Sequence, residues 1–255
     1  MKFIPTLKLV TASFLIALLS ACGGGGSASP DSGNSSTSPI GGSGNPGAAT
    51  GTWQGFYSNN FSTQLVVLNT GETFGLYETS NGDIGAVYGD LRGDGGNVSG
   101  FLTDFLFTGI TMNSANISGT AIAQKSMMIN RGTKRFDLSF ATNLQNPVSV
   151  ASVAGTYFGR GSNSFSPPSN STITISANGT IQMPQTICSA SGSVSPHPNG
   201  QNVFSLNLTI TGNNCGRQGN KLTGVLHLDP TNKRVFVLGL NSTRSDGAFF
   251  QGLRN

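Results

Sequence analysis

From residue 51 onward the chain carries one pattern twice. Gly51-Thr52-Trp53-Gln54-Gly55 returns as Gly155-Thr156-Tyr157-Phe158-Gly159, and Leu65 to Phe74 (LVVLNTGETF) returns as Thr172 to Ile181 (TITISANGTI). Further along, Gly89 to Phe101 corresponds to Gly192 to Phe204, Ile117-Ser118-Gly119 to Leu222-Thr223-Gly224, and Lys134-Arg135-Phe136 to Lys233-Arg234-Val235. These signposts keep one order and a nearly constant offset, which marks an internal duplication with small insertions and deletions in turns. The chain must therefore fold into two related bodies, or into one body built from two similar halves.

Within each copy the period is two. Val66 and Leu68, Ile173 and Ile175, and Phe204, Leu206, Leu208 and Ile210 alternate with polar neighbours, so one row of each strand faces a core and the other faces water. Turn residues recur every 8 to 12 residues or so: Asn69-Thr70-Gly71, Asn81-Gly82-Asp83, Gly93-Asp94-Gly95-Gly96, Asn178-Gly179, Pro198-Asn199-Gly200 and Asp229-Pro230-Thr231-Asn232. Such pairs accept the positive φ of tight hairpins. The spacing predicts an all-β chain of about eight short strands per copy in a meander, closing into two tandem up-and-down barrels, with one larger barrel from two halves as the alternative. Only 9 % of residues are charged and 36 are Gly, which excludes coiled coils and helical bundles, whose helices need Glu, Lys, Arg and Ala.

The N-terminus obeys different rules. Lys2 and Lys8 precede an apolar run, Leu9 to Leu19, too short to span roughly 30 Å of hydrocarbon and typical of a secretory signal. It closes on Leu19-Ser20-Ala21-Cys22, which resembles the lipobox of bacterial lipoproteins. The resemblance implies cleavage before Cys22, acylation of that cysteine with palmitate-type chains, and membrane anchoring at about 0.8 kcal/mol per buried CH₂. Gly23 rather than Asp after the cysteine implies, by the same resemblance, release to the outer membrane. From Gly23 to Thr50 the chain is almost wholly Gly, Ser, Pro, Asn, Thr and Ala, with one charge at Asp31 and one large apolar residue at Ile40. This composition predicts a disordered tether reaching roughly 30 Å. The expected organisation is residues 1–21 signal peptide, 22–50 lipidated cysteine and tether, 51–143 first copy, 144–153 linker, and 154–255 second copy.

Two further cysteines, Cys188 and Cys215, remain in an oxidising compartment, where a disulfide is the default. The Gly51-Thr52-Trp53 and Gly155-Thr156-Tyr157 segments are similar to the start of lipocalin and avidin barrels, which implies that Trp53 and Tyr157 close one end of each barrel. Lipidation, tether and tandem β modules together also resemble surface lipoproteins of the transferrin-binding-protein type.

Catalytic chemistry finds little support. His197 sits between Pro196 and Pro198 in a turn, and His227 lies in the strand Val225 to Leu228 on the face opposite Leu226 and Leu228, so both read as solvated. Neither belongs to an HxH or HExxH pattern, and the two cysteines lack zinc spacing, so no metal, cofactor or catalytic residue is expected. Asp90 and Asp94 flank a Gly-rich turn without the further carboxylates of a calcium loop, and Arg92-Gly93-Asp94, the tripeptide integrin ligands display, falls at an expected hairpin tip.

Charge separates the copies. The first holds seven acids against five bases, the second two acids (Asp229, Asp246) against seven bases. Among the latter, Arg217, Lys221, Lys233 and Arg234 are candidates for contact with an anionic protein, glycan or lipopolysaccharide. They are scattered singly without an aromatic platform, which argues against nucleic acid. The resulting expectation is a lipid-anchored outer-membrane lipoprotein that binds or interacts without catalysis, with a lipocalin- or avidin-like small-ligand carrier as the alternative. A carrier requires an interior cavity of several hundred Å³ lined by the inward row.

Overall fold

The computed structural model describes residues 45–255, apart from breaks at 59, 107–110, 143–148, 164–165, 185–187, 199–201, 213–214, 216 and 232. The expected signal peptide, Cys22 and most of the expected tether lie outside the described residues. The first copy forms β1 (Gly51–Tyr57), β2 (Phe61–Val67), β3 (Glu72–Glu78), β4 (Ile84–Asp94), β5 (Asn97–Leu106), β6 (Thr111–Ile122), β7 (Ser126–Arg131) and β8 (Lys134–Phe140). After a short helix α1 (Val150–Val153), the second forms β9 (Gly155–Asn163), β10 (Ser166–Ile175), β11 (Thr180–Met183), β12 (Ser189–Pro196), β13 (Val203–Thr211), β14 (Lys221–Asp229), β15 (Arg234–Leu240) and β16 (Gly247–Arg254). Each strand pairs antiparallel with the next, β1 closes on β8 and β9 on β16, so the chain is two closed eight-stranded barrels. The single larger barrel is thereby excluded.

The duplication reaches individual hydrogen bonds. In the β2–β3 turn Leu68 N–H donates to Glu72 O and Gly71 N–H to Leu68 O, both at 2.9 Å, and Leu91 of β4 donates back to Gly71 O at 2.9 Å. The β10–β11 turn repeats this with Ser176 to Thr180 (2.9 Å), Gly179 to Ser176 (2.9 Å) and Val194 to Gly179 (2.8 Å). Gly89 and Gly192 occupy matching points of β4 and β12, where a Cβ would fall on the carbonyl of Phe101 or of Asn207 in the next strand. Only glycine allows the approach that bends a strand around so narrow a barrel.

One end of each barrel is sealed by the residues just before its first strand. Trp53 Nε1–H donates to Ala49 O at 2.7 Å, and Tyr157 O–H donates to Val153 O at 2.9 Å, four residues back in both copies. All four side chains are fully buried. Residues 45–50, which composition assigns to the tether, instead form a 3₁₀ turn (Gly47–Ala49), and the last residues of the expected linker form α1. Burial of Ala49 and Val153 in the barrel end supplies the driving force that the polar segments lack by themselves.

The inward rows fill two separate cores, Trp53, Leu65, Leu91, Leu102 and Phe136 among them in the first, Tyr157, Ile173, Leu206, Leu226 and Phe250 in the second. A third apolar cluster lies between the barrels. It consists of outward-facing residues: Val66, Leu68, Phe74, Leu76, Ile84, Ala86 and Phe105 from β2–β5, and Val203, Val225, Phe236, Leu238, Leu240 and Phe249 from β13–β16. Each buried phenylalanine here contributes roughly 1.5–3 kcal/mol. Polar groups ring this seam. Arg244 of the second barrel pairs with Glu72 of the first at 2.9 Å and lies 5.1 Å over the Tyr88 ring, Gln251 donates to Glu78 at 3.3 Å, and Arg160 donates to Gly82 O.

The seam corrects the expectation for both histidines. His227 does face outward, between Val203 and Phe236 in register, but that face is covered and its exposure is 0 %. Neither ring nitrogen has a hydrogen-bond partner among the described residues, and the ring sits 5.2 Å from that of Phe236. His197 is half-buried; burial lowers its pKa, and the nearby Glu72 of the first barrel opposes the shift. Burial also pushes His227 from 6.5 down to about 3. The unfolded chain binds this proton with an ordinary pKa near 6.5 while the folded chain refuses it, so His227 imposes no penalty above that value and an increasing one as pH falls towards 3. Urea unfolding at stepped pH is expected to show wild-type stability falling between about pH 6 and 4 by up to roughly 1.4 kcal/mol per unit more than that of His227→Leu. Parallel pH profiles for the two proteins would refute this account.

Candidate functional site

The two barrels differ most at the ends opposite their plugs. In the first, Asp104, 5 % exposed, accepts hydrogen bonds from Tyr77 O–H at 2.6 Å and Tyr57 O–H at 3.1 Å. Arg131, equally buried, lies 3.6 Å from the same carboxylate, donates to Tyr57 Oη and Leu102 O at 3.4 Å, and reaches Asn113 O. Lys134 covers the group from the rim, 3.9 Å from Asp104 and 5.4 Å over the Tyr57 ring, whose other neighbour Phe136 stacks at 4.1 Å. Burial first, then the Asp104 charge, raises the pKa of Tyr57 and of Tyr77. Both phenols therefore stay protonated and donate to Asp104, and the cluster fills this barrel end as a polar plug. Sequence reasoning missed it because its members come from four strands and meet only through register. Truncating Asp104 leaves Arg131 buried without a counter-charge, and Asp104→Ala is expected to lower the unfolding free energy by about 3–5 kcal/mol, much of it recovered in Asp104→Leu/Arg131→Met. Denaturant titration of the three proteins measures both effects.

At the corresponding end of the second barrel the plug is missing. Gly55 pairs with Leu138 and Gly159 with Gly252 at matching points of closure, so Gly161 holds the place that Tyr57 holds in the first copy. By the same logic Gly89 opposite Leu102 and Gly192 opposite Leu208 align Asp104 with Ile210. Loss of a tyrosine ring, with Ser171, Ala190 and Ala248 also small, leaves a cavity of about 300 Å³. Met183, Ile210 and Leu222 form its apolar wall, and Asn163, Asn220 and Arg217 bring polar groups to it. Arg217 makes an ion pair with Asp246 Oδ2, both side chains mostly buried, while Asp246 Oδ1 is buried with no partner among the described residues. Cys188 lines the cavity and stands at disulfide distance from Cys215, Cα to Cα 4.9 Å, so the crosslink joins the segments preceding β12 and β14 at the rim.

The other residues singled out in the sequence are dispersed. Arg217 and Lys221 lie at the mouth end of β14, Lys233 and Arg234 at the far end of this nine-residue strand, so the four do not form one patch. Arg92-Gly93-Asp94 forms the last three residues of β4, with Asp94 flanking the two-residue turn to β5, and it is pinned there: Gly93 N–H donates to Asn45 O at 3.1 Å, a Cβ on Gly93 would meet Pro46 O, and Arg92 pairs with Asp90 at 3.3 Å. Much of the second copy's positive charge is spent internally. Arg160 and Arg244 cross the seam, and Arg254 donates to Tyr157 Oη at 2.7 Å and to Ser152 O of the plug.

Comparison with known proteins adds little. No family model matches the chain, and no curated protein matches it. Among solved structures, one from Nostoc punctiforme, described as a protein with unknown function from the DUF3598 family, aligns at 12 % identity over 82 % of this chain and 97 % of its own, with a TM-score of 0.27. So loose a superposition carries no argument.

Proposed function

We propose that this chain is a lipid-anchored, non-enzymatic binding protein of a bacterial outer membrane whose second barrel receives a small ligand at its open end. The observation that carries the binding half is the contrast between the two copies: matching barrel ends, one filled by Tyr57, Asp104 and Arg131, the other hollow by about 300 Å³ behind Gly161 and Ile210. That volume lies at the lower end of small-ligand pockets. The first barrel, sealed at both ends, acts as a rigid neighbour that buries the outer face of β13–β16. Anchoring is supported by the Leu19-Ser20-Ala21-Cys22 tetrad and the Gly/Ser-rich stretch after it, which would let the barrels stand clear of the lipid.

The binding half is tested by titrating the mature chain, carrying Cys22→Ser so that no acyl group competes, with the neutral fluorophore N-phenyl-1-naphthylamine. Saturable binding is expected, weakened by about ten-fold or more in Gly161→Tyr, which restores in the second barrel the side chain the first one has. No binding, or binding indifferent to that substitution, refutes the reading. Anchoring is tested separately by membrane fractionation of Cys22→Ala, which is expected to move the protein from the membrane to the soluble fraction; unchanged partitioning overturns lipidation.

A further inference from the structure

We infer that the ligand of the second barrel is uncharged. This rests on the reading of the cavity as a binding site and narrows the chemistry that fits it. Two observations carry it.

The first is that the wall's charge is already neutralised. Arg217 is the cation on the lining, and Asp246 holds it in an ion pair with side-chain exposures of 23 % and 13 %. Of the neighbouring bases, Lys221 is exposed and Arg244 is committed to Glu72 and to Thr223 O at 2.9 Å. An anionic ligand would have to displace Asp246 from Arg217 and leave that carboxylate buried. A cationic ligand would meet a carboxylate already engaged and a guanidinium of its own sign. Either one gives up its hydration without a counter-charge in return, which is the costly case for burying an ion.

The second is size and surface. About 300 Å³ holds on the order of ten to twenty non-hydrogen atoms. Met183, Ile210 and Leu222 favour an apolar body for most of them. The ligand class is therefore a compact, mostly apolar molecule that is neutral at working pH.

The test uses a matched pair of fluorophores with the mature Cys22→Ser chain. N-phenyl-1-naphthylamine is neutral and has one N–H; 1-anilinonaphthalene-8-sulfonate is the same skeleton with a sulfonate. The neutral probe is expected to bind about ten-fold or more tightly than the sulfonate. Asp246→Asn, which strips Arg217 of its counter-charge, is expected to reduce or abolish the preference by raising sulfonate affinity about ten-fold. The comparison of probes on the parent chain needs no variant, so it stands even if Asp246→Asn fails to fold. Sulfonate binding equal to or tighter than that of the neutral probe, yet lost in Gly161→Tyr, overturns the neutrality inference and leaves the site intact. Failure of either probe to respond to Gly161→Tyr overturns the site itself.

Discussion

The contact on which the arrangement depends is the seam where the outer row of β2–β5 meets the outer row of β13–β16. A small barrel fills its inside with one row of side chains and normally gives the other to water. Here Phe74, Leu76, Phe236, Leu238 and Phe249 make a second dry layer outside both barrels. The two copies do not use the same strands for it. The first offers its second to fifth strands and the second its fifth to eighth, so the interface is heterologous, a kind that in principle can add further units without closing. The sequence prevents that. Register places Thr174, Ser176 and Gln182 of the second copy where Val66, Leu68 and Phe74 stand in the first, and all three are exposed. Conversely Arg135 of the first copy stands where Phe249 stands in the second, and it too is exposed. Each copy keeps one adhesive face and makes the other polar, as end units of a repeat array do.

The seam also marks where reading the sequence stops short. Strands, turns, closure and the duplication follow from period-two alternation and Asn-Gly punctuation, which are local. The outer apolar row is equally visible in retrospect: Val235 to Leu240 is an almost unbroken apolar run, the mark of a strand buried on both faces. Taking one row per strand as sufficient assigns the other to water, and His227 goes with it. The ordered residues around Ala49 and Val153 escape for a different reason. Segments of four to six residues show no period, and only their matched position, four before Trp53 and four before Tyr157, signals a role.

At the barrel ends legibility depends on non-local register. Asp104 and Arg131 are 27 positions apart and meet because β5 and β7 flank the long β6, an arrangement that spacing along the chain cannot show. The cavity was within reach once the copies were laid side by side. Gly159 follows Gly55, and two positions further on a tyrosine in one copy faces a glycine in the other.

That exchange has an energetic consequence that ties the cysteines to the cavity. Removing a ring and a charged network from a barrel end removes dispersion contacts and leaves the rim strands with fewer restraints. The first copy, with its plug intact, carries no cysteine after residue 22, whereas the second places Cys188 and Cys215 across the rim that lost its plug. Closing a loop of this length contributes about 3 kcal/mol in the chain-entropy account. A crosslink stabilises without occupying the interior, as no larger side chain could. The hollow end and the disulfide go together: the second barrel is held across its open rim by a crosslink, while the first is held from within by the Tyr57, Tyr77, Asp104 and Arg131 cluster.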